Sequence, residues 1–420
     1  MIRVLSPIGP LLLGVAILLT GQGLQGTLLP VRAGLEGFST LSIGLMGGAY
    51  FFGFTVGCLR GPGLLFRVGH IRVFAAMTAA ASAAPLFHGL WTDAWLWWLL
   101  RFVTGYCFAV LYVVIESWLN QQSTNETRGT VFSAYTLITL TVLAGGQQML
   151  LLYDPQQMAL FALASALVSV AALPVVLSVA PSPRQAEHKV QLDLRRLFTI
   201  SPTGALGCLA AGLANGTFWS LAPVFAVAYS ADYSLAAWFM TAAVLGGALG
   251  QWPLGLWSDR VDRRWVIGFA ALLATLIGVV LWIALGTVSR LNLLLLSAAW
   301  GAVAFPVYSI SVAHANDNAE PDEYVMISSG LLLMYGIGAI LGPFIAPGVM
   351  KLAGPGGLYL FTAFIHLVFL SYIVFRLIHR PTAVDVDQVQ FSDALASTQT
   401  ASSIFEEEEM STQSETEQET

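Results

Sequence analysis

Charge is what this chain has least of: Asp, Glu, Lys and Arg make up 10% of its 420 residues, against 56% hydrophobic residues and a mean hydropathy of +0.74. A water-soluble surface usually carries about 25% charged residues, so this composition excludes a soluble globular fold. Cysteine is equally sparse. Cys58, Cys107 and Cys208 each fall inside an apolar run, which excludes a disulfide framework and leaves them as small buried hydrophobes. No Asp or Glu falls in the middle third of any apolar run, and no HExxH, paired-Asp or Ser/His constellation lies at that depth. An intramembrane hydrolase would need one of these, so no enzyme activity, metal site or cofactor is expected. The formal net charge of -6 says nothing about a partner, because much of the acid sits in Glu406 to Glu409 and in Glu415, Glu417 and Glu419. Nothing in the chain suggests nucleic acid.

What the sequence has in excess is apolar runs of bilayer length, about 20 residues each. There are twelve, near 9–30, 41–60, 72–91, 95–118, 130–152, 157–179, 203–229, 236–256, 265–286, 291–313, 326–350 and 356–378. The first has one nearby positive charge, is too long for a secretory signal and leads directly into further spans, so it is expected to stay as a helix. With the amino terminus inside, the cytoplasmic segments hold 14 of the 18 Lys and Arg residues, the external segments hold Arg32, Arg290 and Lys351, and Arg101 lies within a span. Positive charge resists translocation, so both termini are expected in the cytoplasm of a cell whose inner membrane this multi-pass protein occupies.

The domain plan follows: a six-helix bundle over 1–180, a polar inter-bundle loop over 181–202, a second six-helix bundle over 203–380, and an acidic disordered tail over 381–420. The bundles read as copies. A shift of 193 residues sets Pro30 on Pro223, Gly57 on Gly250 and Arg67 on Arg260; a shift of 196 sets Gly105 on Gly301, Tyr112 on Tyr308, Asn120 on Asn316, Ser133 on Ser329 and Gly146 on Gly342. Repetition in the same orientation implies two pseudo-symmetric bundles about an axis along the membrane normal, with a cavity between them.

The stretch GLWSDRVDRR, Gly255 to Arg264, sets five formal charges between two apolar runs and matches a known loop motif, broadly G-x-x-x-D-R-x-G-R-R, at Gly255, Asp259, Arg260, Arg263 and Arg264. Asp262 stands where the motif has Gly. The first-half echo, GLLFRVGHIR, keeps Arg67, Gly69 and Arg72 but has Phe66 in place of the acid. On these residues the chain resembles the major facilitator superfamily of transporters over roughly residues 8–380, and the ESWLN stretch from Glu116 to Asn120 resembles its YcaD-like subgroup. The resemblance implies an all-α transmembrane, twelve-helix major facilitator fold and a monomer that moves a small-molecule substrate by alternating access. Arg101 and Gly105 fit the fourth-span R-x-x-x-G pattern linked in the superfamily to proton-coupled transport, so protons are the expected coupling ion. The alternative is a transporter-derived sensor or scaffold that keeps the fold and has lost the cycle.

Candidate residues fall into two groups. In a cavity lined mainly by spans one, four, seven and ten, as the resemblance implies, stand Gln22, Gln25, Arg101, Tyr112, Tyr135, Asn215, Trp219, Tyr308 and Tyr335. Aromatic walls with a few amides suit a neutral, amphipathic or zwitterionic solute; an anion could use Arg101, and a strongly cationic solute would meet no acid. Arg101 is expected to contact Gln22 and Gln25, three apart on one face of span one. A cytoplasmic gate would use Asp259 pairing with Arg260 or Arg264, with Asp317 after span ten; the first half would use Glu116, at the end of span four, with Arg67, Arg72 or Arg128. His366 is expected to be a packing residue, and Gly336, Gly338, Gly342 and Pro343 in span eleven mark close helix approach and bending.

Overall fold

The computed structural model describes residues 8–124, 127–177, 192–230, 232–283, 287–320 and 323–379. The expected tail over 381–420 lies outside them. Among the described residues twelve helices are long and apolar enough to cross a bilayer: Gly9–Leu35, Thr40–Val68, His70–Leu90, Ala94–Gln121, Thr130–Leu151, Met158–Val176, Pro202–Ser230, Tyr233–Ser258, Arg263–Ile283, Arg290–Asn316, Met326–Ala353 and Gly357–His379, numbered spans 1 to 12 below. Among the described residues no strand occurs. Span 2 runs on to Val68, past its expected end at residue 60, so most of the first-half charged echo is helical. Span 10 is broken at Pro306, which has no N–H to continue the ladder.

The repeat seen in the sequence is also a repeat of contacts. Ser39, Asp93, Asp232 and Ser289 cap spans 2, 4, 8 and 10 through side-chain oxygens that accept from backbone N–H groups in the first turn. Ser39 and Asp232 are related by the 193 shift, Asp93 and Ser289 by the 196 shift. The glycines behave likewise. A Cβ on Gly105 would overlap the carbonyl oxygen of Tyr50, and one on Gly301 that of Ala243; Gly146 and Gly342 press on the carbonyls of Thr20 and Leu213 in the same way. Span 4 therefore meets span 2 as span 10 meets span 8, backbone against backbone, where only glycine leaves room.

The cores show how the halves sit together. At the end carrying the short loops between spans 1 and 2, 7 and 8, and 11 and 12, one apolar cluster draws on both halves, from Leu24 and Met46 through Phe218, Phe239 and Tyr359. At the opposite end the clusters stay within one half each: Val15, Phe108 and Tyr135 in the first, Ala211, Ile267 and Leu331 in the second. The shared end is also clasped by hydrogen bonds. Gln148 Nε2 donates to Thr241 Oγ1 at 2.7 Å, and that hydroxyl donates to Gln147 Oε1 at 3.1 Å.

Within the expected inter-bundle loop, Leu194–Ile200 forms a short helix, with Asp193 accepting from the Arg196 N–H. Leu197 is buried against Gly330 of span 11, and Arg196 bonds Glu323 through Nε at 2.7 Å and Nη2 at 2.6 Å. The loop expectation missed this because the proline- and charge-rich flank masks one apolar turn. The Arg196 hydrogen bond holds the Glu323 carboxyl below its ordinary range, so the pair's contribution is present above that range and disappears as pH falls through the lowered value. Arg196→Gln is expected to speed hydrogen exchange of the 194–200 amides slightly at pH 7 relative to the wild type, and to leave the two alike in strong acid. An exposed pair of this kind contributes little.

Candidate functional site

A cavity of about 370 Å³ lies between the halves, lined by spans 1, 2, 4 and 5 of the first and spans 7, 10 and 11 of the second. Of the nine cavity residues expected from sequence, Gln22, Gln25, Arg101, Tyr112, Trp219, Tyr308 and Tyr335 line it. Tyr135 and Asn215 stand behind the wall. Tyr135 is hydrogen-bonded to Glu116 and Thr139, and Asn215 to the Tyr335 hydroxyl. The walls are mostly apolar and aromatic. Trp219 stacks on Phe305 at 5.7 Å with 9° between planes, at the break in span 10, and Tyr308 meets Tyr335 at 4.8 Å.

The polar floor is one chain of bonds. Tyr112 Oη donates to Gln22 Oε1 at 2.9 Å, and Gln22 Nε2 donates to Tyr50 Oη, also at 2.9 Å. Arg101 does not bond Gln22 or Gln25 as the sequence suggested. Its guanidinium lies 4.1 Å from the centroid of the Tyr50 ring, an attraction between a cation and the electron-rich ring face. Span 2 crosses span 4 so closely at Gly105 that Tyr50 comes within reach. Tyr50 was missed because one ring among Tyr50, Phe51, Phe52 and Phe54 in an apolar run looks like packing; only the crossing reveals its place. Gln25 is 2% exposed, and neither its Oε1 nor its Nε2 has a protein partner.

The charged latch differs from the expectation at its centre. Asp259 pairs with Arg263, whose Nη1 lies 2.9 Å from Asp259 Oδ1 and donates also to Ser258 Oγ. Arg263 Nε meets Asp317 Oδ2 at 2.6 Å, and the Arg263 side chain is fully buried. Arg264 instead forks onto Asp262, with Nη2 to Oδ2 at 2.6 Å, while Arg260 points outward and is exposed. The helix begins at Arg263 and span 8 ends at Ser258, so the tight turn carries Arg260 away and brings Arg263 back under Asp259. Every one of these pairs lies within the second half.

In the first half, Arg67 and Arg72 are exposed and form no ion pair among the described residues. Glu116 is buried beside Tyr135, and the Arg128 side chain lies outside the described residues. The 193 shift sets His70 on Arg263. His70 is buried and its Nε2 lies 3.0 Å from Ser117 Oγ, a neutral pair in the place of the buried charges. Gly69, with φ +89°, turns the chain where Asp262 stands in the second half. His366 is buried with Nδ1 on the Thr362 carbonyl at 2.7 Å, as a packing residue would be.

Comparison with known proteins fits this architecture. The family model of the Major Facilitator Superfamily matches residues 204–409. The chain is similar to the uncharacterized MFS-type transporter YcaD of Escherichia coli O17:K52:H18, 27% identical over 385 residues, covering 90% of this chain and 98% of that one. Among solved structures it superposes on the nucleoside transporter NupG with a TM-score of 0.72 and 14% identity, over 90% of this chain and 100% of that one. It also superposes on a bacterial homolog of the human lysosomal transporter Spinster in an inward-facing, occupied conformation, with a TM-score of 0.65 and 16% identity over 94% and 93% of the two chains. The twelve spans, the paired halves and these superpositions give the chain the fold of these transporters, and its second half matches the superfamily's model. In sequence the chain is similar to the YcaD-type transporters.

Proposed function

We propose that this protein is a secondary transporter that carries a small neutral, amphipathic or zwitterionic solute across the cytoplasmic membrane by alternating access, with the cavity between the halves as its binding site. The observation that carries the proposal is the uneven division of the core: one end shared by both halves, the other split. Two bodies that rock about a central site would exchange those arrangements. The bias of Lys and Arg toward the split end supports its being cytoplasmic, so this conformation is read as inward-facing. In the opposite state the Asp259, Arg263 and Asp317 cluster, with Arg67, Arg72, Glu116, Arg128, Arg260 and Arg264 nearby in the repeat, forms the closed gate. The Arg101–Gly105 pattern favours coupling to protons.

The test is solute exchange in proteoliposomes containing the purified protein and preloaded with single members of a panel of neutral and zwitterionic metabolites. Saturable exchange of at least one, dependent on a transmembrane pH difference, is expected. A protein that binds a metabolite in detergent yet exchanges none across the bilayer would be a sensor, and the transport proposal would fall.

A further inference from the structure

We infer that the transported solute carries an oxyanion, a carboxylate being the simplest, which docks on Arg101 beside the Tyr50 ring; this rests on the transporter function proposed above and narrows its solute to an anionic amphipathic one. Arg101 is the only cation among the cavity-lining residues, and no carboxylate is there to balance it. Glu116, on the same helix, is 15 residues away, or about 22 Å. The guanidinium is instead held by the Tyr50 ring face at 4.1 Å, and its buried Nε has no acceptor. A ring quadrupole attracts a cation without accepting its in-plane N–H bonds, so the donor fork is left for something that enters the cavity. Planar bidentate capture of an oxyacid is what that fork does best.

The neighbours are donors as well. The Gln22 amide bridges two tyrosine hydroxyls, one at its oxygen and one at its nitrogen. The hydroxyl at the oxygen gives its proton to the amide, and the hydroxyl at the nitrogen accepts from it. Turning the amide over merely exchanges the two, so one tyrosine proton is always left to offer. Gln25 adds an amide that lines the cavity, 98% enclosed by its 2% exposure and without a protein partner at either atom. A buried amide left unmatched is costly, and an oxyanion accepts from its Nε2. Guanidinium, hydroxyl and amide thus line one cavity whose walls also carry the aromatic rings of Phe54, Phe108 and Trp219. The solute that fits has an anionic head and a flat apolar body; a cation meets Arg101 with repulsion and no acid.

Matched probes decide this. The full-length protein in detergent is titrated with 3-phenylpropionate, 3-phenylpropionamide and 3-phenylpropylamine, and with indole-3-acetate, indole-3-acetamide and tryptamine, while its unfolding temperature is followed, since binding to the folded state raises it. The carboxylates are expected to stabilise at concentrations roughly tenfold lower than their amides, with no stabilisation by the amines. Arg101→Gln removes that preference, Arg101→Lys keeps part of it, and Tyr50→Phe weakens it a few-fold. Should Arg101→Gln fail to elute as a folded monodisperse species, the wild-type ranking alone still decides. Amides or amines that bind as well as the carboxylates, or carboxylates that do not bind, overturn the inference. The same probes in proteoliposomes separate the two proposals: exchange of amides or amines alone leaves the transporter standing and sinks the anion site, whereas carboxylate binding without exchange of any probe does the reverse.

Discussion

Arg263→Ala is expected to destabilise the folded protein by about 3–5 kcal/mol and to abolish solute exchange. The fully buried guanidinium meets Asp317, itself 7% exposed, at 2.6 Å and Asp259 at 2.9 Å. Removing it takes the shared guanidinium from one nearly buried carboxylate and one partly buried carboxylate. The acids are expected to rank by burial, Asp317→Asn costing more than Asp259→Asn, because Asp259 is 25% exposed and water takes part of its charge. Arg263→Lys does not restore the wild type, since a single ammonium cannot hold Asp317, Asp259 and Ser258 in the fork's geometry. The counterpart substitution, His70→Ala, removes a neutral hydrogen bond worth about 0.5–1.5 kcal/mol and some packing. Thermal unfolding of the purified variants in detergent gives the ranking. An Arg263→Ala protein as stable as wild type would show that the cluster is a surface feature of the gate and no part of the second half's frame.

The second large effect is conformational. Gly44→Leu is expected to shift the balance between the two rocking states by roughly ten- to a hundredfold toward the state in which the shared end has parted, because forcing side-chain volume into a packed contact costs about 1–3 kcal/mol. A Cβ on Gly44 of span 2 would overlap the carbonyl oxygen of Pro343 in span 11 and approach Pro347 Cγ. Neither can move away: the one is backbone, the other a ring. Because this contact joins the two halves, the strain is relieved by separation and not by repacking within a bundle. Spin labels at Leu41 and Leu352, both exposed at that end, report the separation by pulsed dipolar spectroscopy. A distance distribution unchanged by Gly44→Leu would mean that the shared core yields locally and the halves are not coupled there.

The twelve spans were legible because bilayer length and hydropathy leave few alternatives, and the duplication in part because glycines at backbone contacts permit few other residues. Gly105 and Gly301, or Gly146 and Gly342, announce themselves in a sequence for the same reason that they matter in the fold. Contacts made by long side chains across a turn or a crossing were not legible. Asp259 and Arg263 stand four apart, a spacing that signals a pair on a helix, but the motif reads as a loop, and Arg260 or Arg264 was the expected partner. Only the short turn at Arg260 to Asp262 decides among them. Arg101 looked destined for Gln22 and Gln25 because they share a face of span 1; the approach of span 2 put an aromatic ring there first. In the first half, His70 carried no charge to attract notice, so its correspondence to Arg263 emerged only from the shared offset.

That offset also shows where the two copies part company. On the cavity floor the 196 shift sets Arg101 on Ser297 and the 193 shift sets Tyr50 on Ala243, so the second half has neither the cation nor its ring. A nearly symmetric scaffold therefore encloses a lopsided site, polarised sideways in the plane of the membrane instead of along the direction of passage. Cargo gripped by its head would ride as a passenger of the first bundle while the second swings past its tail, and its orientation relative to the first bundle would be the same on departure as on arrival.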